Sequence, residues 1–177
     1  MNMSDYQQKA MRTSPPDHDR IKNGCLGLIG ESGELVDLVK KFMFQSGKNP
    51  PVPVDAIVKE LGDILWYYAE LAEGMGLSMN NMLPVESCKF DWDVKNAEHM
   101  AIYLSKNAMD IYAAAPNKRK DLIVPFCITN GLIRVAWFAS MIGKSLSDIA
   151  DANIAKLEAR YPNGFEPERS LKRGTEA

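Results

Sequence analysis

Two acidic stretches, Gly30-Glu31-Ser32-Gly33-Glu34 and Lys59-Glu60-Leu61-Gly62-Asp63, decide the fold prediction for this chain. In each stretch, two carboxylates stand three residues apart within a pattern of apolar residues that is typical of a helix. Residues i and i+3 lie about 60° apart on one helical face. Both pairs border the apolar stripe of their helix, so packing of the two stripes would bring four carboxylates to the rim of the core.

Four converging carboxylates repel each other, because partial burial strengthens the interaction between like charges. A cation would compensate them, and oxygen ligands suit Mg²⁺, with Mn²⁺ as a substitute. A single pair of this kind is more simply a set of solvated helix acids, and that alternative stays open. Two pairs in successive helices favour a metal site. Its predicted ligands are Glu31, Glu34, Glu60 and Asp63.

Composition restricts the class of protein. The 177 residues are enough for one domain with a real core, and 46% hydrophobic with 25% charged residues is typical of a soluble globular protein. The net charge of -2 argues against a dedicated nucleic-acid binder. Cys25, Cys88 and Cys127 form no Cys-x-x-Cys pair, which favours reduced thiols in the cytoplasm over a disulfide framework.

One apolar stretch, residues 122–143, is about long enough to span a membrane. It contains Pro125 and a central Arg134, and an arginine in the middle of a bilayer costs roughly 2.5–3.5 kcal/mol or more. We therefore interpret it as a buried helix of a bundle, and expect neither a membrane nor a nucleic acid as partner. Residues 1–14 lack the apolar centre of a signal peptide.

The apolar periodicity predicts an all-α chain, a helical bundle. Asp55 is the predicted N-cap of the helix that carries the second acidic pair. His18, in a proline-rich turn, is expected to be solvated. The stretch from Pro167 is polar and predicted to be a mobile tail. The predicted helices are residues 1–13, 21–44, 55–75, 94–114, 122–143 and 146–160.

Glycines recur at every third position of the first acidic helix. Each costs the helix up to about 1 kcal/mol relative to alanine. A repeated cost of this kind indicates close approach of a neighbouring helix or a ligand, with a poorly formed first turn as the alternative. The four positions are Gly24, Gly27, Gly30 and Gly33.

Further candidate binding residues lie at helical spacing from the acids. Lys41 falls one heptad after Glu34, on the same face, and Tyr67 falls one turn after Asp63, where it could stack on a base. A third set shares one face of the last long helix and would suit an anionic, hydrogen-bonding ligand, although a polar solvent face is the simpler alternative. That set is Asn153, Lys156 and Arg160.

Other phosphate and metal motifs are missing. The sequence contains no Gly-x-x-x-x-Gly-Lys-Ser/Thr loop, and it lacks the Glu-x-x-His of a di-iron carboxylate bundle. With only His18 and His99 available, no Ser-His-Asp set is persuasive. What remains is Mg²⁺ held by carboxylates and acting on a phosphate group.

These features resemble the MazG-like, all-α NTP pyrophosphohydrolases. Glu31-x-x-Glu34, followed after 25 residues by Glu60-x-x-Asp63, is similar to the metal motif of that family. The similarity continues through residues 5–14 (DYQQKAMRTS), 26–41 (LGLIGESGELVDLVKK), 58–78 (VKELGDILWYYAELAEGMGLS) and 153–165 (NIAKLEARYPNGF).

The resemblance implies Mg²⁺-dependent hydrolysis of a nucleoside triphosphate to the monophosphate and pyrophosphate, with a deoxynucleotide as the expected substrate. It implies that the four acids are metal ligands, that Tyr67 lies near the base or sugar, and that Lys156 and Arg160 lie near the phosphates. It also implies a dimer or tetramer with sites built at subunit contacts. A non-catalytic nucleotide sensor on the same scaffold and a helical interaction protein with solvated acids are the alternatives.

The chain departs from short relatives by about 60 additional residues, an insertion at about residues 83–145. We predict a single domain over residues 1–166 that includes this insertion, followed by a tail at residues 167–177. A shift by 67 residues aligns residues 69–82 with 136–149, which indicates either a degenerate repeat that lost its acidic site or a chance similarity of two amphipathic helices. The insertion could replace helices of a partner subunit.

Overall fold

The computed structural model of the chain describes residues 1–82 and 90–171. Within these residues the structure is helical, with no strand, which confirms the all-α prediction. A short 3₁₀ turn, Met79–Met82, lies between two of the predicted helices. The helices are α1 (Met3–Met11), α2 (Arg20–Gln45), α3 (Val54–Gly74), α4 (Val94–Ala114), α5 (Lys120–Met141), α6 (Leu146–Arg160) and α7 (Pro167–Leu171).

Four of the predicted helices begin and end one or two residues away from their observed bounds. The prediction of Asp55 as an N-cap was wrong, because α3 begins one residue earlier, after Pro53, and Asp55 lies in its first turn. The stretch predicted as a tail begins with α7. Residues 83–89, the first part of the predicted insertion, and residues 172–177 lie outside the described residues.

Helix α3 lies at the centre of the bundle. It contacts α1, α2, α5 and α6, and α2 in turn packs against α4. Apolar residues on one face of α3 are completely buried along this core, which fixes the directions of the polar side chains between them. Those apolar residues include Leu61, Ile64, Leu65 and Tyr68.

Helix α5 is long and apolar enough to cross a membrane by length and composition. In the structure it contacts α3, α4 and α6 and buries one face in the core, as expected for a bundle helix. The Tyr68 hydroxyl group packs against Gly131, where a β-carbon would lie 2.0 Å from its oxygen. The same hydroxyl donates a hydrogen bond to Asn107 (2.8 Å). Leu122 and Phe126 at the start of α5 are exposed.

The repeated glycines of α2 divide into two groups. A β-carbon at Gly24 would lie 2.7 Å from the Leu71 side chain, and one at Gly27 would lie 2.0 Å from the Tyr67 ring. Gly30 and Gly33 have nothing within 4 Å. Close approach of α3 therefore explains the first two, and α2 is helical throughout this stretch.

The proposed repeat agrees with the helix boundaries. Shifted by 67 residues, α3 would span residues 121–141, and α5 spans residues 120–141. The duplication nevertheless stays a prediction.

Cys25 and Cys127 are free and buried, whereas Cys88 lies outside the described residues.

Candidate functional site

Three of the four predicted acids meet between α2 and α3. Glu31 on α2 and Glu60 and Asp63 on α3 each offer a carboxylate oxygen, and these oxygens lie within 4.8 Å of one another. All three residues are buried, with 7–8% of their surface exposed. Carboxylates that are this close together and this deeply buried repel each other strongly, so positive charge is needed nearby to stabilise them.

Two lysines supply part of that charge. The Lys156 ammonium group on α6 donates to both oxygens of Asp63, at 2.6 and 2.5 Å. Lys59 donates to Oε1 of Glu60 at 3.0 Å, and this hydrogen bond raises the pKa of Lys59. Both lysines line one groove between α3 and α6, on the same side of the carboxylates.

Asp63 is also held from α1, by a chain of two hydrogen bonds. The buried Tyr6 hydroxyl group donates to Oδ1 of Asn153 at 2.9 Å. This contact turns Nδ2 of Asn153 toward Oδ1 of Asp63, at 3.4 Å. Burial, and then the nearby Asp63 charge, raise the pKa of Tyr6, so the phenol remains a donor. Gly62 permits the approach, since a β-carbon there would lie 3.1 Å from the Asn153 side chain.

Glu34 lies outside the group of three. It is exposed and lines an open cleft together with Lys41 and Glu60. Gly30 and Gly33, which carry no side chain, also line this cleft and have nothing within 4 Å of a β-carbon position. Lys41 pairs with Asp37 at 2.7 Å, and that contact raises the pKa of Lys41. The structure thus brings Lys41 and Glu34 together at one cleft, as their heptad spacing predicted.

A pocket with aromatic walls opens beside Asp63. Tyr67 packs against Gly27 and lines this pocket. The Trp66 ring contacts the Tyr67 ring edge-on, with centroids 4.9 Å apart. An acidic end and aromatic walls suit a ligand with a charged group and a flat ring. The pocket is lined by Thr13, Pro15, Asn23, Asp63, Trp66, Tyr67, Leu157, Tyr161, Phe165 and Ser170.

Arg160, predicted to lie near phosphates, stacks against its neighbour in the chain. Its guanidinium carbon lies 5.8 Å from the centre of the Tyr161 ring, which itself lines the aromatic pocket. The backbone oxygen of Arg160 accepts a hydrogen bond from Arg169 at 2.9 Å. Its predicted role in phosphate binding stays a prediction.

A fully buried carboxylate, Glu70, escaped the sequence analysis. Ser14 donates to both of its oxygens, Arg20 donates to Oε2 at 2.9 Å, and Asn23 donates to Oε1 at 3.4 Å. His18 contacts Oε1 through Nε2, so the expectation of a solvated His18 was wrong. Because the serine hydroxyl bonds to the carboxylate itself, this group ties the α1–α2 connection to α3 and is not a nucleophilic triad.

The group of three carboxylates fits a divalent cation. Oε2 of Glu60 is buried and has no hydrogen-bond partner, although burial of an unpaired carboxylate oxygen is costly. The donor set consists of oxygens alone, as Mg²⁺ and Mn²⁺ prefer. Glu31, Glu60 and Asp63 would hold such an ion.

Comparison with known proteins finds a domain match for part of the chain. Residues 21–85 match the MazG nucleotide pyrophosphohydrolase domain. The "Gene 37 protein" of Mycobacterium phage L5 is 34% identical over 58 residues, which make up 32% of this chain and 51% of that protein. The match thus spans about half of the length of this relative. No solved structure gives a significant match.

Proposed function

We propose that this protein hydrolyses a nucleoside triphosphate, expected to be a deoxynucleotide, to the monophosphate and pyrophosphate, because residues 21–85 match the MazG nucleotide pyrophosphohydrolase domain. The reaction depends on Mg²⁺, for which Mn²⁺ can substitute. One observation carries this proposal: three buried carboxylates with an unpaired oxygen on Glu60 lie beside an aromatic pocket that shares Asp63.

Glu31, Glu60 and Asp63 hold the metal in this proposal, and Glu34 joins them from the cleft. A bound Mg²⁺ neutralises charge on the phosphates and lowers the pKa of a coordinated water. The protein's part is to keep the carboxylates in place. Asn153 orients Asp63 through one hydrogen bond, and Lys156 compensates its charge. A carboxylate oxygen that is not a ligand accepts the proton of the attacking water.

The nucleotide lies across the pocket and the cleft. Its base enters the aromatic walls, where the Tyr67 ring stacks on the base or sugar. Its phosphates point toward the carboxylates, where Lys156 and Lys59 line a common groove and Lys41 stands at the cleft beside Glu34. Arg160 adds a further cation for the phosphates. Flexible ammonium groups suit this role, because they follow a phosphate as its charge shifts.

We further propose that the protein is cytoplasmic, in the host cytoplasm if a phage encodes it, and that it forms a homo-oligomer. Exposed apolar side chains at the ends of α4 and α5 offer candidate contacts between subunits. These are Met109, Tyr112, Leu122 and Phe126. Light scattering measures the oligomeric state, and a monomer at micromolar concentration would contradict this part of the proposal.

The decisive experiment measures pyrophosphate and phosphate release from each common NTP and dNTP, with Mg²⁺ or Mn²⁺. The wild type and the Glu60→Gln variant are compared, with Asp121→Asn as a control at an exposed acid in the first turn of α5. Release of pyrophosphate that is lost only with Glu60→Gln supports the proposal. Nucleotide and Mg²⁺ binding with no release would instead indicate a non-catalytic sensor.

A further inference from the structure

The segment that follows α6 forms part of the lining of the aromatic pocket. We term residues 161–170 the α6–α7 wall. It contributes Tyr161, Phe165 and Ser170 to the pocket. Asp63, one of the three grouped carboxylates, lines the same pocket. A ligand that extends from the carboxylates into the pocket therefore comes within reach of this wall.

Gly164 sets the course of the wall. Its φ of +93° lies in the left-handed region, which residues with a β-carbon rarely adopt. A β-carbon there would lie 3.3 Å from the backbone oxygen of Arg12 at the end of α1. The Arg12 guanidinium group in turn donates to the backbone oxygen of Pro162 at 3.5 Å. The turn is thus held against α1 immediately before Phe165.

Helix α7 is tied back to the end of α6. Arg169 in α7 donates to the backbone oxygen of Arg160 at 2.9 Å, and its guanidinium group pairs with Glu166 at 2.6 Å. Phe165 lies between this tie and the turn at Gly164. Contacts on both sides in the chain therefore fix the position of its backbone.

The Phe165 ring is supported and still accessible. It stacks on the Tyr161 ring, with centroids 6.3 Å apart and planes 27° apart, a separation that aromatic pairs prefer. Tyr161 is buried, with 5% of its surface exposed, whereas Phe165 is only partly buried. Tyr161 thus holds the Phe165 ring in place, and part of that ring remains accessible at the pocket.

We propose that Phe165 binds the base of the nucleotide, in addition to Tyr67, and that Gly164 is the positioning residue for Phe165. This rests on the proposed function, which places the base in this pocket. Tyr67 comes from α3 and Phe165 from the α6–α7 wall, so two separate elements of the pocket each supply an aromatic ring. Every base has a π-face that can stack on such a ring, so Phe165 contributes affinity for each base.

The test measures binding of dAMP, dGMP, dCMP and dTMP by calorimetry, with Mg²⁺ present. Phe165→Ala should bind each about tenfold more weakly, as for the loss of one base–aromatic contact. Phe165→Tyr keeps the ring and should retain most of the affinity. Deoxyribose 5-phosphate has no base, so it should bind equally to the wild type and to Phe165→Ala. Phe44→Ala is the control, since Phe44 is an exposed aromatic residue at the end of α2 outside the pocket lining, and it should bind like the wild type.

Gly164→Ala tests the positioning, because it leaves the Phe165 ring in the chain. Alanine is strained at this φ and its β-carbon crowds Arg12, so the turn has to shift. Binding of the four nucleotides should weaken, and binding of deoxyribose 5-phosphate should be kept. Gly143→Ala is the matched control, since Gly143 has a φ of +70° with nothing within 4 Å of a β-carbon position. It introduces similar strain after α5 and should leave binding unchanged.

Hydrogen exchange of the wild type provides a measurement that needs no variant. A bound nucleotide should slow exchange of the backbone amides of the α6–α7 wall more than deoxyribose 5-phosphate does. Equal exchange with the two ligands would contradict the proposal. Thermal melting establishes that each variant is folded, and exchange of the wild type decides if Phe165→Ala is not.

The binding measurements separate this proposal from the proposed function. An unchanged nucleotide affinity in Phe165→Ala, or an equal loss for nucleotides and deoxyribose 5-phosphate, would overturn the role of Phe165 and leave the proposed function intact. A loss for the nucleotides alone would support that role even if no triphosphate is cleaved, and the proposed function alone would then be overturned. Where triphosphates are cleaved, Phe165→Ala should raise KM and keep kcat.

Discussion

The ammonium group of Lys156 lies between the two carboxylate oxygens of Asp63, at 2.6 and 2.5 Å. It occupies the same carboxylate that a metal ion would share with Glu31 and Glu60. The lysine and a metal ion therefore compete for Asp63. Without metal, the lysine stabilises the protein by pairing with Asp63. With metal, the same positive charge weakens the attraction of the carboxylates for the ion. Substitution of the lysine should separate the two effects.

Lys156→Met should bind Mn²⁺ more tightly than the wild type and turn over nucleotide about 10–100-fold more slowly, as for other residues that support metal ligands. Without metal, its melting temperature should fall, because Asp63 loses its partner. Metal titrations followed by melting and by kcat check both signs. Lys106→Met is the control, since Lys106 pairs with exposed Asp110 on α4. Weaker metal binding in Lys156→Met would contradict the competition.

Glu60→Gln and Glu34→Gln should differ in their response to Mg²⁺. Glu60 is buried with an unpaired oxygen, so its substitution should remove the rise in melting temperature on addition of Mg²⁺, together with turnover. Glu34 is exposed and outside the group of three, so Glu34→Gln should reduce turnover and keep most of the rise. Equal loss of the rise in both variants would show that Glu34 is a full ligand.

Tyr6→Phe should weaken the site from a distance. It removes the donor to Oδ1 of Asn153, and an unsatisfied buried amide oxygen costs about 1–3 kcal/mol of stability. Asn153 is then free to turn away from Asp63, so kcat should fall about 10–100-fold. Denaturant melts and steady-state kinetics measure the two effects. Asn153→Ala made together with Tyr6→Phe should add little to the loss in kcat, because the two residues act through one chain of hydrogen bonds.

Gly27→Ala and Gly33→Ala form a matched pair on α2. Gly33 has nothing within 4 Å, so alanine should stabilise the protein by up to about 1 kcal/mol through helix propensity. At Gly27 the added β-carbon would lie 2.0 Å from the Tyr67 ring, which has to move. We expect no gain in stability there and a raised KM. An unchanged KM in Gly27→Ala would argue against Tyr67 as a nucleotide contact.

The buried thiol of Cys25 predicts that the stability of the protein falls at alkaline pH. Burial, with a smaller effect of Asp19, raises the pKa of its thiol group from an ordinary value near 9 to about 11. Above pH 9 the unfolded chain loses this proton and the folded chain retains it, so the stabilisation from Cys25 is present below pH 9 and is lost as the pH rises toward 11. Melting temperatures should fall across this window, and less steeply in Cys25→Ala. Iodoacetamide should label folded Cys25 far more slowly than the unfolded chain at pH 8.

The sequence was most informative where a pattern repeats along one helix. The three-residue spacing of the acids and the apolar periodicity around them predicted both helices and the meeting of Glu31, Glu60 and Asp63. The same spacing could not separate Glu34 from the others. Positions 60° apart on one helix share an edge, and only the neighbouring helix decides which of them is buried.

Partners far apart in the chain were not predictable. Glu70 resembles any other acid in an apolar helix, and its burial depends on Ser14 and Arg20, 56 and 50 residues away. Tyr6 and Asn153 are separated by 147 residues, and the sequence around either residue does not indicate that the other is its partner. The glycine step of α2 did carry such a signal, since it predicted close approach, yet it could not identify Tyr67 as the neighbour of Gly27.

During synthesis, Asp63 leaves the ribosome 93 residues before Lys156. While these 93 residues are added, the emerging chain therefore carries three acids without the cation that α6 brings to them. Repulsion between these charges opposes close packing of α2 and α3 until ions screen the charges or α6 arrives. Packing of α6 onto the bundle is thus coupled to the neutralisation of the three carboxylates. Chains that stop short of residue 156 should pack poorly between α2 and α3 and be cleaved there by proteases.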